Sequence, residues 1–258
     1  MVQPGETPVV SIVILNYNHP EIIDVCLRTL MMTEHIPYEV VVVDNGSESD
    51  SVTALNEHLS EGRINTLVLN EQNHYFSEGN NIGVRNSNPA SEYILLMNSD
   101  VGIIHPDWLK KQVGWMEGTT VSRPTVWGLK PTIATSGPRD IVSIGWSHDA
   151  NIDGNARPEG WCCMFRRQWF RELSPDLPFH GGFEEAIAGS IREGANAGVL
   201  FNYAPYLVHR EGGSTRGSKP SEIVNRREPD FTAWFSGLKI ETLDFTLGPD
   251  EHDTYMSW

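Results

Sequence analysis

The chain has 258 residues, 39% of them hydrophobic and 9% aromatic, enough apolar material for a sizeable core in one large domain or two small ones. Its formal net charge of −15, from 34 acidic against 19 basic residues, argues against a nucleic-acid partner, because a phosphate backbone is bound by a surplus of Lys and Arg. No stretch approaches the roughly 18 apolar residues of a membrane span and no charged-then-apolar leader opens the chain; Cys26, Cys162 and Cys163 make neither a disulfide framework nor a zinc spacing, so the expectation is a cytosolic protein with ordinary buried thiols.

Val9–Leu15 is rich in β-branched residues and ends on Asn16-Tyr17-Asn18, which reads as a strand and its turn. Between Glu21 and Met32, the residues Ile22, Ile23, Cys26, Leu27 and Leu30 recur at helical spacing. Tyr38–Val43 is a second strand, closed by Asp44-Asn45-Gly46-Ser47, and a helix follows from about Asp50 to Ser60 with Leu55 and Leu59 inward. Asn65–Asn70 is a third strand, Gly79–Asn86 opens another helix, and the apolar run Tyr93–Met97 ends abruptly on Asn98-Ser99-Asp100. This alternation predicts a mostly parallel α/β sheet flanked by helices, with its polar strand ends gathered along one edge, where open α/β sheets hold ligands.

Those strand ends carry chemistry. Asp100 is a hard oxygen ligand of the kind Mg²⁺ or Mn²⁺ takes, although Asn, Ser and Asp also end strands simply as turn formers. Neither a G-x-G-x-x-G nor a P-loop signature is present, so phosphate would be held another way. Asp44 offers an acceptor to a pyrimidine imide N–H and Tyr17 a ring to stack on a base. The plainer readings are an N-terminal cap of the next helix for Asp44 and a half-buried core aromatic for Tyr17.

The segments Ser11–Asn18, Val42–Ser47, Asn73–Gly83 and Leu95–Val101, in that order and spacing, resemble the family 2 inverting glycosyltransferases. Gly79-Asn80-Asn81-x-Gly83 is close to the form in rhamnosyltransferase-like members. The resemblance is good from about Val9 to Leu109, weaker to about Ser214 and absent beyond. It implies the glycosyltransferase-A, Rossmann-like fold. It also implies that the first strand end (Asn16, Tyr17) and Asp44 hold the nucleotide base, and that Asn80 and Asn81 lie near ribose and diphosphate. Asn98-Ser99-Asp100 then stands for the D-x-D-like element that binds a divalent cation, Mn²⁺ or Mg²⁺, with a carboxylate kept only at its last position.

In the second half, Glu159–Arg167 resembles the family's Gly-containing strand ending in basic residues. Trp161 is thereby set beside the acceptor pocket, with core packing as its alternative. Arg166 and Arg167 are phosphate-pairing candidates, though basic residues ending a strand are usually solvated. Phe179–Glu185 matches the place of the family's catalytic carboxylate, with Glu185 as the general base and Glu184 as the alternative. An acidic first turn of a helix Glu184–Glu193 reads equally well there. His209, in Val208–Ser214, matches a His that completes the metal site or touches the diphosphate, and Arg210 and Arg216 are further phosphate candidates.

The expected organisation is a catalytic domain over residues 1–218, with 9–110 binding the nucleotide sugar and 111–218 shaping the acceptor site. A C-terminal helical appendage follows over 219–258, including an amphipathic helix from Phe231 to Leu243. The function this implies is metal-dependent inverting transfer of a hexose or deoxyhexose from a nucleoside-diphosphate sugar to a hydroxyl of a glycan or other acceptor, with transient contact at a membrane surface where the acceptor is lipid-linked. The rivals are a nucleotidyltransferase, for which the first strand lacks a Gly-rich basic signature, and a degenerate transferase-like domain that binds without turnover. Oligomeric state is not encoded in these motifs.

Overall fold

The computed structural model describes residues 1–117, 141–146, 159–177, 180–193, 196–201, 206–209 and 240–244. In chain order the first half runs β1 (Val10–Asn16), α1 (Pro20–Leu30), β2 (Tyr38–Asp44), α2 (Ser49–Ser60), β3 (Thr66–Leu69), α3 (Tyr75–Arg85) and β4 (Tyr93–Asn98). The second half runs β5 (Val101–Ile103), α4 (Trp108–Glu117), β6 (Ile141–Trp146), β7 (Cys162–Arg166), α5 (His180–Arg192), β8 (Asn196–Phe201), β9 (Leu207–His209) and β10 (Ile240–Asp244). Among the described residues an eight-stranded sheet has the order β10-β8-β6-β7-β4-β1-β2-β3, and β5 and β9 form a separate antiparallel pair. All ladders of the large sheet are parallel except those of β7, which runs against both β4 and β6.

The central strands are buried on both faces, which is why they read as continuous apolar runs rather than alternating ones. On one face Val10, Ile12, Ile14, Val40, Val42, Leu95 and Met97 pack with Ile23 and Leu27 of α1, Leu55 of α2 and Trp108 of α4. On the other, Val13, Val41, Ile94, Leu96 and Phe165 pack with Phe183 and Ile187 of α5. The result is a three-layer α/β/α arrangement with α3 also on the second face, close against β1.

Three details differ from the sequence expectations. In α2, His58 takes an inward place beside Leu55, whereas Leu59 is 38% exposed. Helix α3 starts at Tyr75, four residues before Gly79, so both glycines of Gly79-Asn80-Asn81-x-Gly83 lie inside it. They are there for proximity: a Cβ on Gly79 would lie 2.5 Å from Leu15 Cδ1, and one on Gly83 2.3 Å from Val13 Cγ1. The end of the helix expected over Phe231–Leu243 is instead β10, parallel to β8, in keeping with the β-branched Ile240 and Thr242 in its sequence. Residues 210–239 lie outside the described residues, as do the Arg210 and Arg216 expectations. Among the described residues no helix is long and apolar enough to cross a membrane.

Candidate functional site

In the large sheet β4, β1 and β2 are neighbours in one register, with Leu15 opposite Asn98 and Asn16 opposite Asp44. Three polar strand ends therefore share one edge. Asp44 is 1% exposed and held from several sides. Asn16 Nδ2 donates to its Oδ1 at 2.9 Å, the Ser47 backbone N–H donates to its Oδ2 at 2.9 Å, and the Ser47 hydroxyl also donates to Oδ1. Asp44 thus closes an Asx-type turn rather than capping α2, whose N-cap is Glu48. Asn16 reaches Ser51 as well, at 3.1 Å, and Asn18 N–H donates to Ser47 Oγ at 2.7 Å. Tyr17 is half-buried at the rim of this cluster.

A second set of amides ties the next loop to the same edge. Asn45 Nδ2 donates to Asn73 Oδ1 at 3.0 Å and to the Tyr75 carbonyl at 3.1 Å, and Asn70 Nδ2 donates to Asn45 Oδ1 at 3.1 Å. Tyr75 enters α3 with φ of 60°, a left-handed conformation that is an outlier for a bulky residue. Its N–H donates to Asn73 Oδ1 at 2.7 Å, and the residue is 44% exposed.

The third cluster lies beyond the end of β4. Asp100 Oδ1 is 3.3 Å from His209 Nε2, with side-chain exposures of 1% and 8%. The pair is brought together by the small sheet, in which Val101 is opposite His209. The His209 ring stacks on Trp161, with centroids 4.6 Å apart and planes 6° apart. Trp161 Nε1 in turn donates to Glu159 Oε2 at 2.8 Å. Because β7 is antiparallel to β4, its first residue lies beside the end of β4, and the Asn98 N–H donates to the Trp161 carbonyl at 2.8 Å. Trp161 is 3% exposed and belongs to the hydrophobic core, which is the packing reading of that residue. Beneath Asp100 lies Cys26, whose thiol is pushed well above its ordinary range by burial and by the nearby Asp100 charge.

The remaining candidates have other partners. Asn80 is buried, and its Nδ2 donates to Phe76 O at 2.8 Å within α3. Asn81, fully buried, engages both backbone groups of Leu173: Nδ2 donates to its carbonyl and Oδ1 accepts from its N–H, each at 2.8 Å. Glu184 and Glu185 are half-buried in the second turn of α5, which begins at His180 rather than Glu184, so neither is in the first turn. Glu185 makes no hydrogen bond or ion pair among the described residues, whereas Glu184 is engaged. The start of α5 abuts the start of α3: a Cβ on Gly182 would lie 2.4 Å from Ser77 Oγ, which donates to Leu177 O at 2.6 Å.

Arg166 and Arg167 are at the opposite edge, where Arg166 pairs in register with Tyr93. Arg166 donates to Glu117 at 2.8 Å, and Arg167 donates to the hydroxyls of Ser87 and Ser91 at 2.9 and 2.6 Å. They are neither phosphate ligands at this site nor solvated strand ends; burial lowers the Arg167 pKa.

The Asp100–His209 pair suits a divalent cation. Two ligands at about 2.1 Å from one ion stand roughly 3.0–3.4 Å apart for octahedral to tetrahedral angles, and the observed 3.3 Å falls in that range. Among the described residues no set of three His, Cys, Asp or Glu side chains gathers, so water and an anionic ligand would fill the other positions. The residues that sequence reasoning did not single out are Asn45, Ser47, Ser51, Asn73, Tyr75 and Glu159. For Ser47 the signal was the Asp-x-x-Ser spacing of an Asx turn, and for the asparagines their density between Asn70 and Asn81.

The α/β sheet is of the glycosyltransferase-A type, the fold it shares with two solved glycosyltransferase structures. Residues 11–130 match the model of the family described as Glycosyl transferase family 2, a window that contains the candidates up to Asp100 and stops before Trp161, Glu184, Glu185 and His209. An uncharacterized protein, y4gI, of Sinorhizobium fredii is 31% identical over 109 residues, 42% of this chain, and the match spans only 12% of that relative's length. A mannosyltransferase from Pyrobaculum calidifontis, solved in complex with GDP-Man and Mn²⁺, has a TM-score of 0.53 at 16% identity, covering 72% of this chain and 54% of that one. Glucosyl-3-phosphoglycerate synthase from Mycobacterium tuberculosis, solved with Mn²⁺, UDP and glucosyl-3-phosphoglycerate, has a TM-score of 0.51 at 14% identity, covering 87% and 81% of the two chains. At these identities the two structures speak for the fold.

Proposed function

We propose that the chain is a metal-dependent, inverting glycosyltransferase that moves a hexose from a nucleoside-diphosphate sugar to a hydroxyl of a glycan or similar acceptor, in polysaccharide or glycoconjugate synthesis in the cytosol. The observation that carries this is the buried Asp100–His209 pair, 3.3 Å apart at the end of β4, on the edge where Asn16 and Asp44 stand in register. Residues 9–110 supply the donor half in this reading and 111–218 the acceptor half.

Each residue has a distinct task. Asp44, fixed by Asn16 and Ser47, presents a remaining lone pair to a base N–H, and Tyr17 lines the base. Asp100 and His209 would hold Mn²⁺ or Mg²⁺, which when bound neutralises charge on the departing diphosphate. An inverting displacement needs a base on the face of the sugar opposite the leaving group, and a carboxylate suits it. Glu185 fills that role better than Glu184, since it has no competing partner among the described residues. Asn80 and Asn81 act indirectly, by fixing α3 and the chain at Leu173.

Glu185→Gln is expected to abolish transfer while nucleotide binding stays nearly intact; full turnover in that variant refutes the assignment. A non-catalytic nucleotide- or glycan-binding domain is the second reading, favoured by the single carboxylate in Asn98-Ser99-Asp100. Metal-dependent hydrolysis of a sugar nucleotide without acceptor tells against it.

A further inference from the structure

His209 ends a three-residue strand whose ladder, among the described residues, is with β5, and Asp100 lies two residues after the end of β4 and directly before β5. The small sheet therefore brings the two backbones together, but a ladder of three residues a side does little to fix an imidazole's χ angles. We infer that Trp161, oriented by Glu159, is the positioning residue that holds the His209 ring toward Asp100. The inference rests on the cation-site reading of that pair.

Trp161 is connected to both sides of the site. Its carbonyl accepts the Asn98 N–H at 2.8 Å, which fixes it two residues from Asp100. Its indole face lies against His209 at 4.6 Å and 6°. The ring cannot turn freely, because it is 3% exposed in the core and its N–H is committed to Glu159 at 2.8 Å. A side chain whose only task was to fill the core would need neither a parallel stack on a site histidine nor a carboxylate on its N–H. The stack also has the right electronic sense. An imidazole that ligates a cation through Nε2 becomes electron-poor, and the electron-rich indole face favours that form. Groups that orient a ligating histidine typically change metal affinity by roughly 10–100-fold when removed.

The test is Mn²⁺ titration of the 258-residue chain by electron paramagnetic resonance, with UDP and separately with GDP present, comparing wild type with W161L, W161F, E159L and D100N. The expected result is about a tenfold or greater loss of Mn²⁺ affinity in W161L and recovery of most of it in W161F, which restores a stacking face. E159L, at the half-buried start of this segment, is expected to fall at the low end of that range, with a loss of about tenfold. Should W161L fail to fold, as judged by its melting curve, E159L and W161F carry the comparison. Affinities of W161L and E159L within about twofold of wild type, with binding lost in D100N, overturn the positioning role alone. Wild type that binds no Mn²⁺, or D100N that binds as wild type does, overturns the site reading and the positioning role with it.

Discussion

Asn81→Ala separates a structural from a ligand-binding role for the Gly79–Gly83 segment. In the fold Asn81 is fully buried, and its amide answers both the N–H and the C=O of Leu173, each at 2.8 Å. It substitutes for a strand neighbour along a stretch of chain that has none, tying α3 to the connection that leads into α5. Truncation leaves two buried backbone groups without partners at roughly 1–3 kcal/mol each, so the expected loss is about 2–6 kcal/mol, toward the lower end if a water enters. Asn81→Asp keeps an acceptor for the Leu173 N–H but sets a carboxylate oxygen against its carbonyl, and should recover little. Urea unfolding monitored by circular dichroism reads the change as a shift in midpoint at constant slope. A variant that unfolds within about 0.5 kcal/mol of wild type yet loses nucleotide affinity would refute this account and return Asn81 to the donor site.

Tyr75→Gly is expected to stabilise the protein by about 1 kcal/mol, because a bulky residue at φ of 60° carries left-handed strain that glycine lacks; a thermal melt showing lower stability would mean the ring contributes more by packing than its backbone costs. His58 gives a pH dependence of stability. Its Nε2 is 3.2 Å from Asp24 Oδ1 and its Nδ1 3.1 Å from Arg63 Nη1, so the neutral ring donates to one and accepts from the other. Burial, the largest cause, lowers its pKa from 6.5, with Arg63 and Arg28 lowering it further and Asp24 and Glu57 opposing. The stability this represents is fully present above about pH 6.5 and is lost as pH falls toward the lower folded-state value. Chemical denaturation between roughly pH 7.5 and 5 should show that loss in wild type and a weaker one in His58→Gln; equal slopes would remove His58 as its source.

Much of the first half was legible because its signals are local. Buried parallel strands announce themselves as apolar runs, and their abrupt polar ends gather along one edge. What failed to show depended on distant contacts. Gly79 and Gly83 look like a helix start, but their reason is the approach to Leu15 and Val13, residues more than sixty positions earlier. Tyr75 hid the true start of α3 by entering it in a conformation no propensity favours. Arg166 and Arg167 read as phosphate candidates or solvated strand ends because a sequence does not tell which way a strand runs. With β7 reversed, its basic end faces away from the site and Trp161, at its other end, faces the site. Asp100 and His209 stand out in the sequence as separate candidates, and what brings them together is a two-strand sheet of three residues a side, which no local pattern reveals. Ile240–Asp244 has too short a pattern to reveal that its partner is β8.

The most direct measurement is proton NMR of the sugar's anomeric centre while purified protein is incubated with a panel of nucleoside-diphosphate sugars and Mn²⁺, with and without simple glycan acceptors. The account predicts that one donor is consumed, that the product has the inverted anomeric configuration, and that turnover is lost on chelation of the metal and in Asp100→Ala. Donor consumption that persists unchanged in Asp100→Ala, or nucleotide binding with no consumption of any donor, would contradict it.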